Sequence, residues 1–116
     1  MNYDSENIFA KILRGDAPCS KIYEDEFVLA FHNIVPEAEI HFLVIPKGPY
    51  NNYTDFVKSA EDAEIVGFYK GIQKSITACG ITSGFKLISN SGHDAGQSIM
   101  HYHVHVMAGK SMPKIG

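Results

Sequence analysis

HYHVHVM, residues 101–107, places a histidine at every second position of an otherwise apolar segment. Side chains on a β-strand alternate between its two faces, so His101, His103 and His105 are expected on one face of a final strand over residues 100–109. The intervening tyrosine and valines are bulky and apolar, and we expect them to face the core. A slip of one residue would place three imidazoles in that core, so the register of this strand is expected to be firmly held.

The other apolar patterns predict an α+β fold in which a helix, three strands, a long helix and two strands follow one another. Short turns favour an antiparallel sheet, with the helices packed on one side of it. The pattern does not determine the strand order. Asp4 or Ser5 can cap the first helix and Gly15 can end it. The first helix is predicted over residues 7–15, and the strands before the last one over residues 21–26, 27–34, 41–48 and 84–90.

The long helix is predicted from residue 59 to about residue 79, because apolar residues recur there at i, i+3, i+4, i+7 and i+11. Ser59 with Asp62 resembles a capping box, and Gly80 is expected to close the helix. The apolar stripe consists of Ile65, Phe68, Tyr69, Ile72 and Ile76.

The composition limits the classes of function. The 116 residues fit one domain, which we place over residues 1–116 with its motifs in about 7–109. A net charge of −3 argues against a nucleic-acid partner, which would need a broad basic field. The longest apolar run, Phe42–Pro46, is far shorter than the ~18 residues of a membrane helix, so no membrane association is expected. Cys19 and Cys79 do not indicate a disulfide framework, and with no targeting segment in view we expect a cytoplasmic protein.

Three roles are open to the alternating histidines. They could be structural, with each buried imidazole satisfied by hydrogen bonds. They could bind zinc, since His-x-His on a strand presents two nitrogens and His41 or His105 could add a third ligand. They could serve nucleophilic catalysis, in which one nitrogen of a neutral imidazole attacks while a hydrogen bond holds the other nitrogen.

The loop that leads into the histidines favours the third role. Residues 90–98, NSGHDAGQS, contain two glycines, which permit a positive φ and close backbone approach. Successive N–H groups can therefore converge on an anion, and Gln97 and Ser98 can add side-chain donors. A plain surface turn would use the same residue types. Beside three histidines, however, such a cradle would hold a phosphate where a histidine could attack phosphorus, and a metal site would not need it.

Nearly the whole chain resembles the histidine triad (HIT) family. Residues 101–107 match its His-x-His-x-His-x-x signature, in which x is apolar, and the spacing AGQS-x-x-H-x-H-x-H is highly specific. IFAKILRGDAPCSKIYEDE resembles the family's opening helix and first strand, FHNIVPEAEIHFLVIPK its middle block, and ISNSGHDAGQS its phosphate loop. The most similar branch is that of the histidine triad nucleotide-binding proteins, which are purine nucleoside phosphoramidases.

The resemblance implies a five-stranded antiparallel α+β domain that pairs as a homodimer and requires no metal or cofactor. It implies cleavage of nucleoside monophosphate conjugates, such as phosphoramidates, at the α-phosphorus. His103 would attack the phosphorus and form a nucleotidyl-histidine intermediate that water hydrolyses. The backbone carbonyl of His101 would hold the nucleophile, and His105 and His41 would support it. Ser98 would contact the phosphate. Two alternatives stay open, a non-catalytic protein that binds purine nucleotides or acts as a scaffold, and a zinc-binding protein.

The same resemblance assigns the nucleotide contacts. Residues of the first helix would form a wall for the base, although ordinary core packing would use the same residues. The family usually has Asp at the position of Asn33, and an amide accepts hydrogen bonds through one oxygen only, so ribose binding is expected to differ. The assigned residues are Ile8, Phe9 and Ile12 for the base, Phe31, His32, Asn33 and Ile34 for the ribose, and Asn90, Gly96, Gln97 and Ser98 for the phosphate.

Overall fold

The computed structural model describes residues 2–114, and it has the predicted α+β architecture. The described helices and strands are α1 (Ile8–Leu13), β1 (Lys21–Glu24), β2 (Val28–His32), β3 (Ile40–Pro46), α2 (Tyr53–Ser59), α3 (Asp62–Ala78), β4 (Phe85–Ile88) and β5 (Val104–Ala108), with a 3₁₀ turn over His93–Ala95 before β5. No helix in this part of the chain is long and apolar enough to cross a membrane.

The five strands form one antiparallel sheet in the order β1-β2-β3-β5-β4. The last strand of the chain therefore inserts between β3 and β4, next to the centre of the sheet. In the pairing of β3 with β5, His41 lies opposite Met107 and Leu43 lies opposite His105. This pairing therefore places His41, on β3, next to His105, on β5.

Helices cover both faces of the sheet, so the expectation that they all pack on one side was wrong. On one face, Val28 and Val44 belong to the same buried cluster as Phe68 of α3. On the other face, Phe9 of α1 packs with Phe31 and Leu43. Because α1 is only six residues long and Phe9 is its buried residue, this helix covers part of its face and leaves space beside it.

Two glycines allow α3 to lie close to the sheet. A Cβ on Gly67 would fall 2.3 Å from the ring of Phe27, and a Cβ on Gly71 would fall 2.6 Å from the side chain of Val28. Both distances are far below van der Waals contact, so any larger residue would push the helix outward. The glycines thus set the distance between α3 and the edge of the sheet formed by β1 and β2.

The helix ends differ from the predicted ones in their caps. Asn7, rather than Asp4 or Ser5, caps α1, because its Oδ1 accepts a hydrogen bond from the N–H of Ala10 at 2.9 Å. Gly15 follows this helix with a φ of +84°, the left-handed conformation expected of a residue that ends a helix.

The predicted long helix corresponds to α3, and a short helix that was not predicted, α2, comes before it. Residues 53–59 form α2, and α3 begins after Glu61, whose side chain forms a capping box with Glu64. The predicted box between Ser59 and Asp62 was therefore wrong, because Ser59 is the last residue of α2.

The final strand begins at Val104 rather than near residue 100, so two of the three histidines precede it. The side chains still alternate. Tyr102 is buried in the core beneath α3 and stacks on Phe56, with ring centroids 5.0 Å apart. His101 and His103 point to the opposite face, where their rings approach the ring of Phe9 edge-on at 6.3 Å and 5.1 Å.

Candidate active site

A cavity of about 650 Å³ opens on the face of the sheet that α1 only partly covers. Its walls come from α1, the segment between α1 and β1, the end of β2 and the loop before the histidines. Most of the predicted site residues line it, namely Ile8, Phe9, Ile12, Phe31, His32, Asn33, Ile34, Asn90, Gly96, Ser98, His103 and His105. His41, His101 and Gln97 lie behind this lining, where they are buried.

Some lining residues were not predicted. Residues 17–20 form one wall, and Glu37, Leu43 and Ile99 complete the lining. Leu43 could have been inferred from the alternation of β3, since it shares a face with His41. Residues 17–20 carry no pattern of their own, and only the fold brings them to the cavity.

The protons of His101 and His103 can be placed from their partners. His101 Nε2 lies 3.0 Å from the carbonyl oxygen of Pro46, which can only accept, so Nε2 carries a proton. His103 Nδ1 lies 2.7 Å from the carbonyl oxygen of His101, so Nδ1 carries the proton of this neutral ring. The Nε2 of His103 is then unprotonated. The buried His103 therefore offers the cavity a nitrogen lone pair, as nucleophilic attack requires.

The protons of His41 and His105 can be placed from their partners in the same way. The backbone N–H of Glu37 donates to His41 Nδ1 at 3.0 Å, so the proton of the neutral ring lies on Nε2. His41 Nε2 lies 2.9 Å from His105 Nδ1 and donates to it. His105 must then carry its proton on Nε2. The rings of His103 and His105 are 5.3 Å apart, so a lone pair and an N–H donor stand side by side at the cavity.

Burial keeps these imidazoles neutral. Desolvation lowers the pKa of His101 to about 4 and that of His105 to about 4. It also lowers the pKa of His103, against the opposing effect of its hydrogen bond to the His101 carbonyl, and lowers the pKa of His41. At pH 7 the site therefore contains neutral rings with fixed tautomers rather than a cluster of cations.

The loop of residues 90–98 is held in its conformation by two glycines and by hydrogen bonds within the loop. Gly92 and Gly96 adopt φ values of +87° and +82°, which favour glycine. The N–H of Gly96 donates to His93, and Asn90 Nδ2 donates to the Ala95 carbonyl at 2.8 Å. These bonds close a compact turn that delivers Ser98 to the cavity.

Gln97 has a role other than the expected side-chain contact with phosphate. Its Oε1 accepts from the N–H of Gly92 at 2.8 Å, and its Nε2 donates to the carbonyls of Asn51 and Ile99 at 2.7 Å and 3.0 Å. The buried amide is thus fully used inside the protein. It fastens residues 90–98 to the segment before α2, and so it positions this loop rather than facing the cavity.

Asn33 occupies a position that an amide fits poorly. Its Oδ1 accepts from the N–H of Val35 at 2.9 Å, which leaves Nδ2 facing His41 Nε2 at 3.3 Å. Since His41 Nε2 carries a proton, two N–H groups face each other. Turning the amide over would only move the conflict to Val35. A carboxylate would accept from both sides, so the geometry suits the Asp that the family usually has here.

The other histidines are exposed. His32 lies at the rim of the cavity, and His93 lies in the loop with its side chain in solvent. Glu37 is the charged residue of the cavity lining, and no Lys or Arg among residues 2–114 lines it. An anion in this cavity would therefore be held by N–H groups, hydroxyls and neutral imidazoles.

The histidine cluster does not have the arrangement of a metal site. Within residues 2–114, no three His, Cys, Asp or Glu side chains converge so that they could hold an ion. Both nitrogens of His101 already have partners, the hydroxyl of Tyr3 and the carbonyl of Pro46. The zinc alternative therefore finds no support in the way the side chains are placed.

Comparison with known proteins identifies the family. The HIT domain family matches residues 14–112. A relative from Azospirillum brasilense, described as an uncharacterized 13.2 kDa HIT-like protein, is 45% identical over 95% of this chain and 91% of its own. The solved structure of a histidine triad protein from Clostridium difficile superposes with a TM-score of 0.83 at 37% identity, over the whole of both chains. That of a HIT family hydrolase from Legionella pneumophila gives a TM-score of 0.84 at 30% identity, over 94% of this chain and 97% of its own. The chain belongs to the HIT family.

Proposed function

We propose that this protein is a hydrolase of the nucleotide-binding branch of the family, cleaving nucleoside monophosphate conjugates such as phosphoramidates. The observation that carries the proposal is the unprotonated Nε2 of His103, fixed at the wall of a cavity of about 650 Å³. His103 needs no base to activate it, because its ring is already neutral and its Nδ1 proton is already bound to the carbonyl of His101.

In the first step, the Nε2 lone pair of His103 attacks phosphorus and the P–N bond of the substrate breaks. The leaving nitrogen takes up a proton from water at the open mouth of the cavity and departs as an amine. The positive charge that forms on the His103 ring is stabilised by the hydrogen bond from Nδ1 to the His101 carbonyl. A covalent nucleotidyl-histidine results, which divides one difficult substitution into two easier ones.

In the second step, water attacks phosphorus, the P–Nε2 bond breaks and nucleoside monophosphate leaves. The electron pair returns to His103 Nε2, and the proton of the water passes to solvent. The Nε2–H of His105, supported by His41, and the hydroxyl of Ser98 donate to the phosphoryl oxygens as charge develops on them. Removing one such donor commonly slows a reaction about 100-fold or more.

The apolar part of the cavity fits a purine base. Its apolar lining includes Ile8 and Ile12 of α1, together with Phe31 and Ile34. Ile34 is 95% exposed, which is unusual for such a large apolar side chain and suits a residue whose partner is a ligand. Asn33 and His32 would lie next to the ribose, and Asn90, Gly96 and Ser98 next to the phosphate.

The charge of the cavity favours singly charged phosphoryl groups. Neutral imidazoles and the carboxylate of Glu37 offer no cation to balance a polyphosphate. A nucleoside phosphoramidate with one P–O ester and one P–N bond carries one negative charge at phosphorus, whereas the nucleoside monophosphate that leaves is doubly charged near pH 7. The site therefore suits the substrate better than the product, which helps turnover.

The proposal includes a homodimer and a cytoplasmic location. α3 lies over β1–β3, so the edge strand β4 leaves Phe85 and Leu87 exposed, and α3 exposes Val66 and Tyr69 on the same face. A second copy would cover this apolar band on β4 and α3. Both cysteines are free, as a reducing compartment requires. Light scattering should show a dimer that Leu87→Lys dissociates, while Val35→Lys, exposed on the loop after β2, leaves it intact.

Replacement of His103 tests the enzymatic proposal. His103→Asn should abolish hydrolysis of an adenosine phosphoramidate and leave AMP binding within about threefold, because the cavity persists without the nucleophile. His93→Asn is the matched control, since it makes the same change at an exposed loop histidine, and it should retain full turnover. Activity in His103→Asn equal to wild type would refute the proposal. Binding of AMP by the wild type, with negligible turnover of every conjugate tried, would favour the non-catalytic alternative.

A further inference from the structure

Tyr3 contacts His101, whose carbonyl holds His103, from outside the cavity. Its hydroxyl lies 2.5 Å from His101 Nδ1, and the two rings meet edge-on with centroids 5.7 Å apart. His101 is fully buried, so this hydroxyl, rather than solvent, is the partner of Nδ1. Nothing in the proposed reaction uses Tyr3, which is separated from His101 by 98 residues of chain.

The direction of this hydrogen bond follows from the other side of the ring. The carbonyl of Pro46 requires the proton of His101 to lie on Nε2, so Nδ1 presents a lone pair. Tyr3 must therefore donate its hydroxyl proton to Nδ1. The two bonds together hold the imidazole at both nitrogens and fix its tautomer.

The fixed ring matters because the sheet does not hold this part of the chain. The ladder between β3 and β5 begins at the pair Val44 and Val104, so His101 and His103 lie beyond its hydrogen bonds. The N–H of Tyr102 donates to the carbonyl of Tyr50 at 2.7 Å, which secures one peptide group. The carbonyl of that same peptide group, that of His101, is the acceptor that orients the nucleophile. The bond to Tyr50 therefore holds one side of this carbonyl, and the two bonds of the His101 ring anchor residue 101 on the other side.

We propose that Tyr3 is a positioning residue, which holds His101 so that its carbonyl keeps His103 aligned with its Nε2 toward the cavity. The inference rests on the proposed function for its effect on turnover, but the hydrogen bond itself can be tested without a substrate. Tyr3 touches neither the cavity nor the reacting atoms. Its loss should therefore lower kcat and leave KM and nucleotide affinity nearly unchanged.

The experiment compares Tyr3→Phe with Tyr23→Phe. Both changes remove one hydrogen-bonded phenol oxygen, but Tyr23 bonds to Asp25 in the hairpin of β1 and β2, far along the chain from the histidines. Tyr3→Phe should lower kcat for an adenosine phosphoramidate about tenfold, with KM and the Kd of AMP within about twofold. Tyr23→Phe should leave all three unchanged. In ¹⁵N NMR of the imidazoles, Tyr3→Phe should move the Nδ1 resonance of His101 toward the value of an unbonded nitrogen.

A second variant guards against loss of folding. Replacing Tyr3 by 3-fluorotyrosine keeps the ring and makes the hydroxyl a stronger donor, so the His101 Nδ1 resonance should move in the opposite direction. An unmoved resonance in both variants would overturn the hydrogen bond, and a moved resonance with unchanged kcat would overturn the positioning role. A wild type without any turnover would instead overturn the proposed function, and the resonance would still decide whether Tyr3 holds His101.

Discussion

His101 should make the protein sensitive to mild acid. Its ring is fully buried, and burial lowers its pKa from 6.5 to about 4. In the unfolded chain the same ring titrates near 6.5, so between these two values the unfolded state binds a proton that the folded state excludes. Because the folded pKa is the lower one, the stability that this ring contributes is present above about pH 6.5 and is lost as the pH falls toward 4.

The size of this effect follows from the two pKa values. Each pH unit inside the window costs about 1.4 kcal/mol for one group, so lowering the pH from 7 to 5 should remove about 2 kcal/mol through His101 alone. Carboxylates and the other histidines add their own pH dependence. Comparing wild type with a His101 variant at two pH values removes the contributions of these other groups, because both proteins contain them.

Urea unfolding at pH 7 and pH 5 measures the quantity directly. His101→Gln will be less stable than wild type at pH 7, since it disturbs the hydrogen bonds of this ring to Tyr3 and Pro46. Its loss of stability between pH 7 and pH 5 should nevertheless be about 2 kcal/mol smaller than that of wild type, because glutamine does not titrate. His93→Asn, at an exposed loop position, should lose as much as wild type. Equal losses in wild type and His101→Gln would refute the buried, neutral state assigned to this ring.

Three further predictions address the site itself. The acid limb of kcat/KM against pH should have its midpoint below 6.5, because only neutral His103 attacks and burial lowers its pKa; a midpoint at or above 6.5 would contradict this. Asn33→Asp should raise the pKa of His41 in an NMR titration, and it should lower KM for ribonucleotide conjugates relative to 2′-deoxyribonucleotide conjugates. No change in either measurement would exclude the proposed conflict between the two N–H donors. Gln97→Ala removes three hydrogen bonds and should cost about 3 kcal/mol in urea unfolding and lower kcat, and a loss below about 0.5 kcal/mol would show that the bonds do not hold the loop.

The features that could be predicted from the sequence are those with a local period. The two-residue alternation in residues 101–107 placed the histidines on one face and Tyr102 in the core, even though the strand itself starts later. The helical stripe predicted α3 but not its start, because the short α2 before it ends at Ser59 and a new cap follows at Glu61. Caps depend on which nearby side chain reaches a free N–H, and several candidates were equally placed.

The features that could not be predicted depend on contacts between distant parts of the chain. The sequence motif predicted that the Gln97 side chain would contact phosphate. The structure shows instead that its amide donates to the carbonyl of Asn51, 46 residues earlier in the chain. Tyr3 belongs to no recognisable motif, yet its hydroxyl forms a hydrogen bond with the ring of His101. Both cases have the same physical cause: a polar side chain takes the partner that the fold brings to it, and the fold brings partners that no local spacing records.

The pairing of β3 with β5 explains why alternation alone was insufficient to define the site. His41 lies opposite Met107, so it is the diagonal neighbour of His105 on the same face and can donate to it. Pro46, at the other end of β3, extends past the ladder to the place where its carbonyl meets His101. A shift of two residues between these strands would keep every side chain on its proper face, yet it would separate both pairs. The register of β3 against β5 therefore sets the tautomers of both histidine pairs, His101 with His103 and His41 with His105. The lone pair that His103 offers to the cavity follows from this register rather than from the spacing of the histidines.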